Sequence, residues 1–130
     1  MRRAAPIEEP EMPTGITLFI LVVEDDPITR MWITSYLEEK GCSVLQAASA
    51  DAAITYLRDG HIIDAVVTDI GLGEGLNGWD VAEEARKARP GVRVVYTSGR
   101  VGAPRRDVDG SVFIAKPYEP DIVLEACRAR

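Results

Sequence analysis

The chain has 130 residues, 46% apolar and only 6% aromatic, which suits one domain with an aliphatic core and leaves room for little else. Its 15 Lys and Arg stand against 21 Asp and Glu, a net charge of −6, and its basic residues form no block larger than a pair such as Arg105–Arg106, which excludes a nucleic-acid groove. Cys42 and Cys127 lack C-x-x-C spacing, so neither zinc nor redox chemistry is indicated; no apolar stretch approaches a membrane span, and a cytoplasmic protein is expected.

Residues 1–15 carry Pro6, Pro10 and Pro13 among Glu8, Glu9 and Glu11, a composition that predicts a disordered leader before a domain over residues 16–130. Ile16–Val23 is a β-branched apolar run that reads as a strand buried on both faces. Asp26 then caps a helix with Pro27 at its first position, whose inner face is predicted as Ile28, Met31, Trp32, Tyr36 and Leu37, stopped by Gly41. Ser43–Ala47 is a second strand. Ser49 caps a helix through Asp59 with Ala53, Ile54 and Leu57 inside, and Ile62–Thr68 holds the third strand.

A glycine-laden loop, Gly71, Gly73 and Gly75, leads through Asn77-Gly78 to a helix over Trp79–Arg89. Val92–Thr97 and Val112–Ala115 are the fourth and fifth strands. Pro120–Arg128 is the last helix, with Ile122, Val123 and Ala126 turned inward. Between Arg100 and Ser111, Gly102, Pro104 and Gly110 interrupt the pattern, so a fourth helix there is short, distorted or missing. Strand and helix alternate throughout, the signature of βαβ units and a parallel sheet. Trp32 and Trp79 are expected to pack at least half-buried, and His61 to lie exposed in a loop.

A parallel sheet gathers the carboxyl ends of its strands at one edge, so residues distant in sequence converge there. Glu24-Asp25-Asp26 ends the first strand, and adjacent carboxylates repel by roughly 1–4 kcal/mol per close pair at surface dielectric. A cation relieves that repulsion, and Mg²⁺ takes a few carboxylates while keeping other oxygen ligands. The competing reading is acidic decoration of a helix N-terminus, which suits Asp26 best. Asp69 ends the third strand as a candidate carboxylate nucleophile; an Asx turn is its bland alternative. Ser98, with Thr97 as rival, offers a hydroxyl at the fourth strand's end. Lys116 follows the fifth strand and can pair with Asp69 as a point charge, unless it is simply solvated.

Leu21-Val22-Val23-Glu24-Asp25-Asp26-Pro27, Val66-Val67-Thr68-Asp69, Thr97-Ser98-Gly99 and Lys116-Pro117-Tyr118 together resemble the receiver domain of two-component response regulators, over residues 16–128. The resemblance implies a doubly wound α/β fold: five parallel strands in the flavodoxin-like order 2-1-3-4-5, with helices on both faces. It implies that Asp69 accepts a phosphoryl group from a histidine kinase or histidine phosphotransfer protein. Glu24, Asp25, Asp69 and the Gly71 backbone carbonyl would hold Mg²⁺. Ser98 and Lys116 would bind the phosphoryl oxygens, Ser98 and Phe113 would form the switch, and the Lys116–Pro117 bond would be cis. The protein would then be a phosphoryl acceptor with at most self-catalysed phosphorylation and dephosphorylation, not an enzyme acting on other substrates. Its output would be a protein target, without nucleic acid or membrane.

The chain departs from the family pattern in three places. The loop after Asp69 is longer, lacks a proline and has Gly71 where a side chain would orient water; with Arg100 two residues past Ser98, this predicts an unusual phosphate lifetime. The stretch from Ser98 to Lys116 is shorter than the family spacing, at the expense of the fourth helix and of the face used for dimerisation. Phe113 lacks a hydroxyl, so a switch there works by packing. Past the last helix there is no space for an output module, so the chain is either a single-domain regulator or a piece of a larger protein. Among other functions, a flavodoxin-type carrier would want an amide-rich phosphate cradle where Glu24-Asp25-Asp26 stands. A haloacid-dehalogenase-like phosphohydrolase would want an acid at Gly71. The remaining alternative is a degenerate receiver that binds partners without phosphate.

Overall fold

The structure is a computed structural model that describes residues 16–73, 75–99 and 105–129. Five strands form one sheet: β1 (Phe19–Val23), β2 (Ser43–Ala47), β3 (Ala65–Asp69), β4 (Arg93–Ser98) and β5 (Val112–Ala115). All pairs are parallel and the order is β2-β1-β3-β4-β5, the doubly wound arrangement anticipated above. Among the described residues four helices cover it: α1 (Pro27–Glu39), α2 (Ala50–Arg58), α3 (Gly78–Ala88) and α4 (Pro120–Arg128). Of the stretch expected to hold a short, distorted or missing fourth helix, the described residues 105–111 contain no helix. The expected leader and residues 100–104 lie outside the described residues.

Alternation along the central strands sends successive side chains to opposite cores. Leu21, Val23, Val66, Val94 and Tyr96 pack under α2 and α3 with Ala53, Leu57, Trp79 and Val81. Ile20, Val22, Val67 and Val95 pack under α1 and α4 with Ile33, Leu37, Val123 and Cys127. A core aliphatic of this kind contributes about 1.5–3 kcal/mol on leaving water. Both cysteines are buried and unpaired, and burial pushes the Cys127 thiol up to about 12. No helix among the described residues is long and apolar enough to cross a membrane.

The capping residues do what their chemistry predicts. Asp26 accepts the Thr29 N–H at 2.9 Å, and Ser49 accepts that of Ala52 at 3.1 Å. Asn77 is the N-cap of α3: its side-chain oxygen accepts from the Trp79 and Asp80 N–H groups, and the Asp80 carboxylate in turn accepts the Asn77 N–H at 2.8 Å.

Two predicted helix faces are right only in part: Leu37 and Val123 are buried and Tyr36 and Ala126 pack against the core, but the rest of each set is displaced. On α1 the buried residues are Ile33, Thr34 and Leu37, whereas Ile28 is 77% exposed, Met31 63% and Trp32 44%. The helix carries apolar residues on both sides, and a buried threonine hid the true inner face. On α4 the buried set is Val123, Leu124 and Cys127, one residue on from the expected set, with Ile122 exposed. Both sets have helical spacing, and only the sheet selects between them. The third strand starts at Ala65 because Asp64 bonds Phe19 through both its N–H and its carboxylate, leaving Ile62 outside and exposed. Trp79 is buried as expected and His61 is exposed, its ring edge-on to Tyr56.

Candidate functional site

Glu24, Asp69 and Lys116 each follow by two residues a side chain, Val22, Val67 or Ile114, that faces the α1 and α4 core. The period of the strands therefore delivers all three to the same side of the carboxyl edge. There the Lys116 Nζ donates to Glu24 Oε1 at 2.8 Å and to Asp69 Oδ2 at 3.2 Å. The second oxygen of Glu24 accepts the Asp26 N–H at 3.1 Å. Arg30, one turn into α1, donates to the Glu24 carbonyl at 2.8 Å and so fixes the peptide that carries Asp25. Asp25 itself is exposed at the rim.

Carboxylate oxygens of Glu24, Asp25 and Asp69 all lie within 4.8 Å of one another. An all-oxygen set suits a hard cation such as Mg²⁺ and not a soft metal, so the residues fit the implied ion. Burial pushes the Glu24 carboxyl up, against the hydrogen bonds from Lys116 and Asp26 that pull it down. Burial likewise opposes the Lys116 ammonium, but Glu24 and Asp69 outweigh it and raise its pKa. Asp26 is held low by the Thr29 hydroxyl and N–H, which leaves it a cap and not a member of the trio.

The loop after Asp69 is anchored at both ends. Leu72 is buried in the α2 and α3 core, and the Gly78 N–H donates to the Ile70 carbonyl at 2.9 Å. A Cβ on Gly78 would sit 2.2 Å from the Asp69 carbonyl oxygen, so only glycine lets α3 abut the strand that carries the acid. Gly71 is exposed and has only its backbone to offer. Ser98 ends β4, buried, and its carbonyl accepts the Lys116 N–H at 2.8 Å. Thr97 is the register partner of Asp69 and is also buried. Phe113 is half-buried and pairs with Tyr96, on the α2 and α3 side of the sheet. Lys116–Pro117 is cis. Arg100 lies outside the described residues.

Sequence reasoning gave no role of their own to four residues: Arg30, Gly78, Tyr96 and Tyr118. Arg30 carried a signal, a lone cation one helical turn beyond three acids. Tyr96 looked like any strand residue, yet its buried hydroxyl accepts the Val108 N–H at 3.1 Å. Burial pushes the Tyr118 hydroxyl up to about 12, and its ring lies 5.5 Å from that of Trp32. The β5–α4 turn thereby joins the exposed apolar strip of α1.

Residues 20–128 match the family model of the response regulator receiver domain. The chain is 31% identical to a response regulator receiver protein from Sinorhizobium medicae, covering 85% of this chain and 91% of that one at a TM-score of 0.78. It is 26% identical to the response regulator TrrA from Thermotoga maritima, solved in complex with Mg²⁺ and BeF, covering 83% and 94% at a TM-score of 0.71. Among curated proteins it is 35% identical over 109 residues to the transcriptional regulatory protein AruR of Pseudomonas aeruginosa, spanning 78% of this chain and 44% of AruR. It is 26% identical to the sensor kinase/phosphatase LuxN of Vibrio campbellii, of which it spans 12%. The chain belongs to the receiver domain family of two-component response regulators.

Proposed function

We propose that this receiver accepts a phosphoryl group on Asp69 from a phosphohistidine of a histidine kinase or histidine phosphotransfer protein. An Asp69 oxygen forms the new bond to phosphorus as the N–P bond breaks, and the electron pair leaves with the imidazole. Lys116 orients Asp69 and meets the incoming negative charge, while Ser98 offers its hydroxyl to a phosphoryl oxygen. Glu24, Asp25, Asp69 and the Gly71 carbonyl would hold Mg²⁺, which when bound neutralises charge on the transferring group. The observation that carries this reading is the Lys116 amine bridging Glu24 and Asp69 at 2.8 and 3.2 Å. TrrA, a relative solved with Mg²⁺ and BeF, supports the choice of ion.

The donor protein, on this reading, docks on the strip of Ile28, Met31 and Trp32. That strip continues from the Asp26 cap beside the acidic trio, and it meets Tyr118 two residues past Lys116. The protein acts in the cytoplasm, where kinases are found, and turns over nothing but its own phosphoryl group. Incubation with Mg²⁺ and acetyl phosphate, followed by intact mass, tests the reading: wild type gains one phosphoryl group and Asp69→Asn gains none. An unchanged wild-type mass would leave the alternative of a phosphate-independent interaction module.

A further inference from the structure

We infer that Arg105 is a positioning residue for the switch, its guanidinium stacked on Phe113 and holding that ring in its resting position until Asp69 is phosphorylated. The inference rests on the reading of Asp69 as phosphoryl acceptor.

The Arg105 guanidinium carbon lies 4.9 Å from the centroid of the Phe113 ring. Its Nε and Nη2 donate to the two oxygens of Asp107 at 3.3 and 3.2 Å, so the planar group is held by a fork and does not sweep through solvent. The backbone beneath is fastened as well. Arg106 reaches α3, with Nη2 at 3.1 Å from Asp80 and 2.8 Å from Glu83. The Val108 N–H donates to the buried Tyr96 hydroxyl, and the Asp109 carbonyl accepts from Arg86 at 2.7 Å. Arg105 is therefore presented to Phe113 by a segment tied to α3 and to β4.

Phe113 packs against the α2 and α3 core and also carries this guanidinium over its ring. Its register partner is Tyr96, and strand alternation puts Ser98 on the same face of β4 as Tyr96. Movement of Ser98 toward a phosphoryl group opens space on the inner side of the ring. A ring that moves into that space leaves Arg105 behind, so the stack belongs to the resting state alone and weighs against the switch. The short β4–β5 connection, which has no helix in its described part, thus carries a restraint of its own.

The test is a beryllofluoride titration of the full chain with Mg²⁺, in a Trp32→Phe background so that Trp79, 4.7 Å from Tyr96, is the reporter. Arg105→Met should bind about threefold tighter, the size of an exposed cation–π contact. Arg105→Lys keeps a cation over the ring and should stay near wild type. In a Phe113→Leu background, Arg105→Met should change nothing. Binding unchanged or weakened in Arg105→Met, equal effects of Met and Lys, or an effect that survives Phe113→Leu would overturn the inference while leaving the acceptor reading intact. No binding by the parent protein, with no mass gain from acetyl phosphate, would remove both.

Discussion

On the α1 and α4 side of the sheet edge, Glu24, Asp69 and Lys116 meet with side chains only 5%, 12% and 25% exposed. On the α2 and α3 side, the β4–β5 connection is held by Arg105 and Arg106, 55% and 45% exposed. Charges on the first side have been taken out of water and depend on each other. Those on the second lie in solvent and are screened. The proposed chemistry would thus rest on buried, mutually dependent groups, and the proposed readout on exposed contacts that break more easily.

That contrast can be broken at four points. Lys116→Met strips the amine from a nearly buried Glu24, and we expect a loss of about 2 kcal/mol in urea unfolding, below the full buried-pair range because the lysine is part-exposed. Arg106→Gln should cost a fraction of that; equal losses would erase the distinction between the sides. Gly78→Ala forces a Cβ onto the Asp69 carbonyl, backbone that cannot step aside, for about 2 kcal/mol and slower phosphoryl uptake. Tyr96→Phe leaves the Val108 N–H without its partner, costing about 1 kcal/mol and speeding exchange of that amide.

The smallest effect concerns acid. Asp80 is held below its ordinary value, first by the Asn77 N–H and then by Arg106. A depressed carboxyl contributes stability that is complete above its unfolded value near 3.8 and drains as pH falls through the lower folded one. Asp80→Asn should therefore cost about 0.5 kcal/mol at neutral pH, and the difference from wild type should shrink below that value. A gap that stays constant down the acid limb would show that the cap bond, and not the charge, is what matters.

The convergence of Glu24, Asp25, Asp69 and Lys116 was legible because strand ends are easy to read. Glu24-Asp25, Asp69, Ser98 and Lys116 each close an apolar run, and parallel topology does the rest. β5 and α4 match their expected bounds, and the cap at Asp26 was plain from Asp-Pro. Helix faces were not legible on α1, where Met31 and Trp32 share the helical spacing of a core stripe while Thr34 is buried in their stead. Which stripe turns inward depends on the sheet beneath, information that no local window holds. The clasp at residues 105–108 was invisible for the same reason. Arg105-Arg106 reads as a surface pair until Phe113, Asp80 and Glu83 are brought beside it.

The proposal that Asp69 is the acceptor is tested most directly by finding where the phosphoryl group goes. Wild type treated with acetyl phosphate and Mg²⁺ should be trapped with borohydride, which reduces an acyl phosphate, and the reduced residue mapped by peptide mass spectrometry. The account predicts one reduced residue, Asp69, and none when Mg²⁺ is chelated. Reduction at another carboxylate, or labelling of Asp69 that persists without the metal, would contradict it.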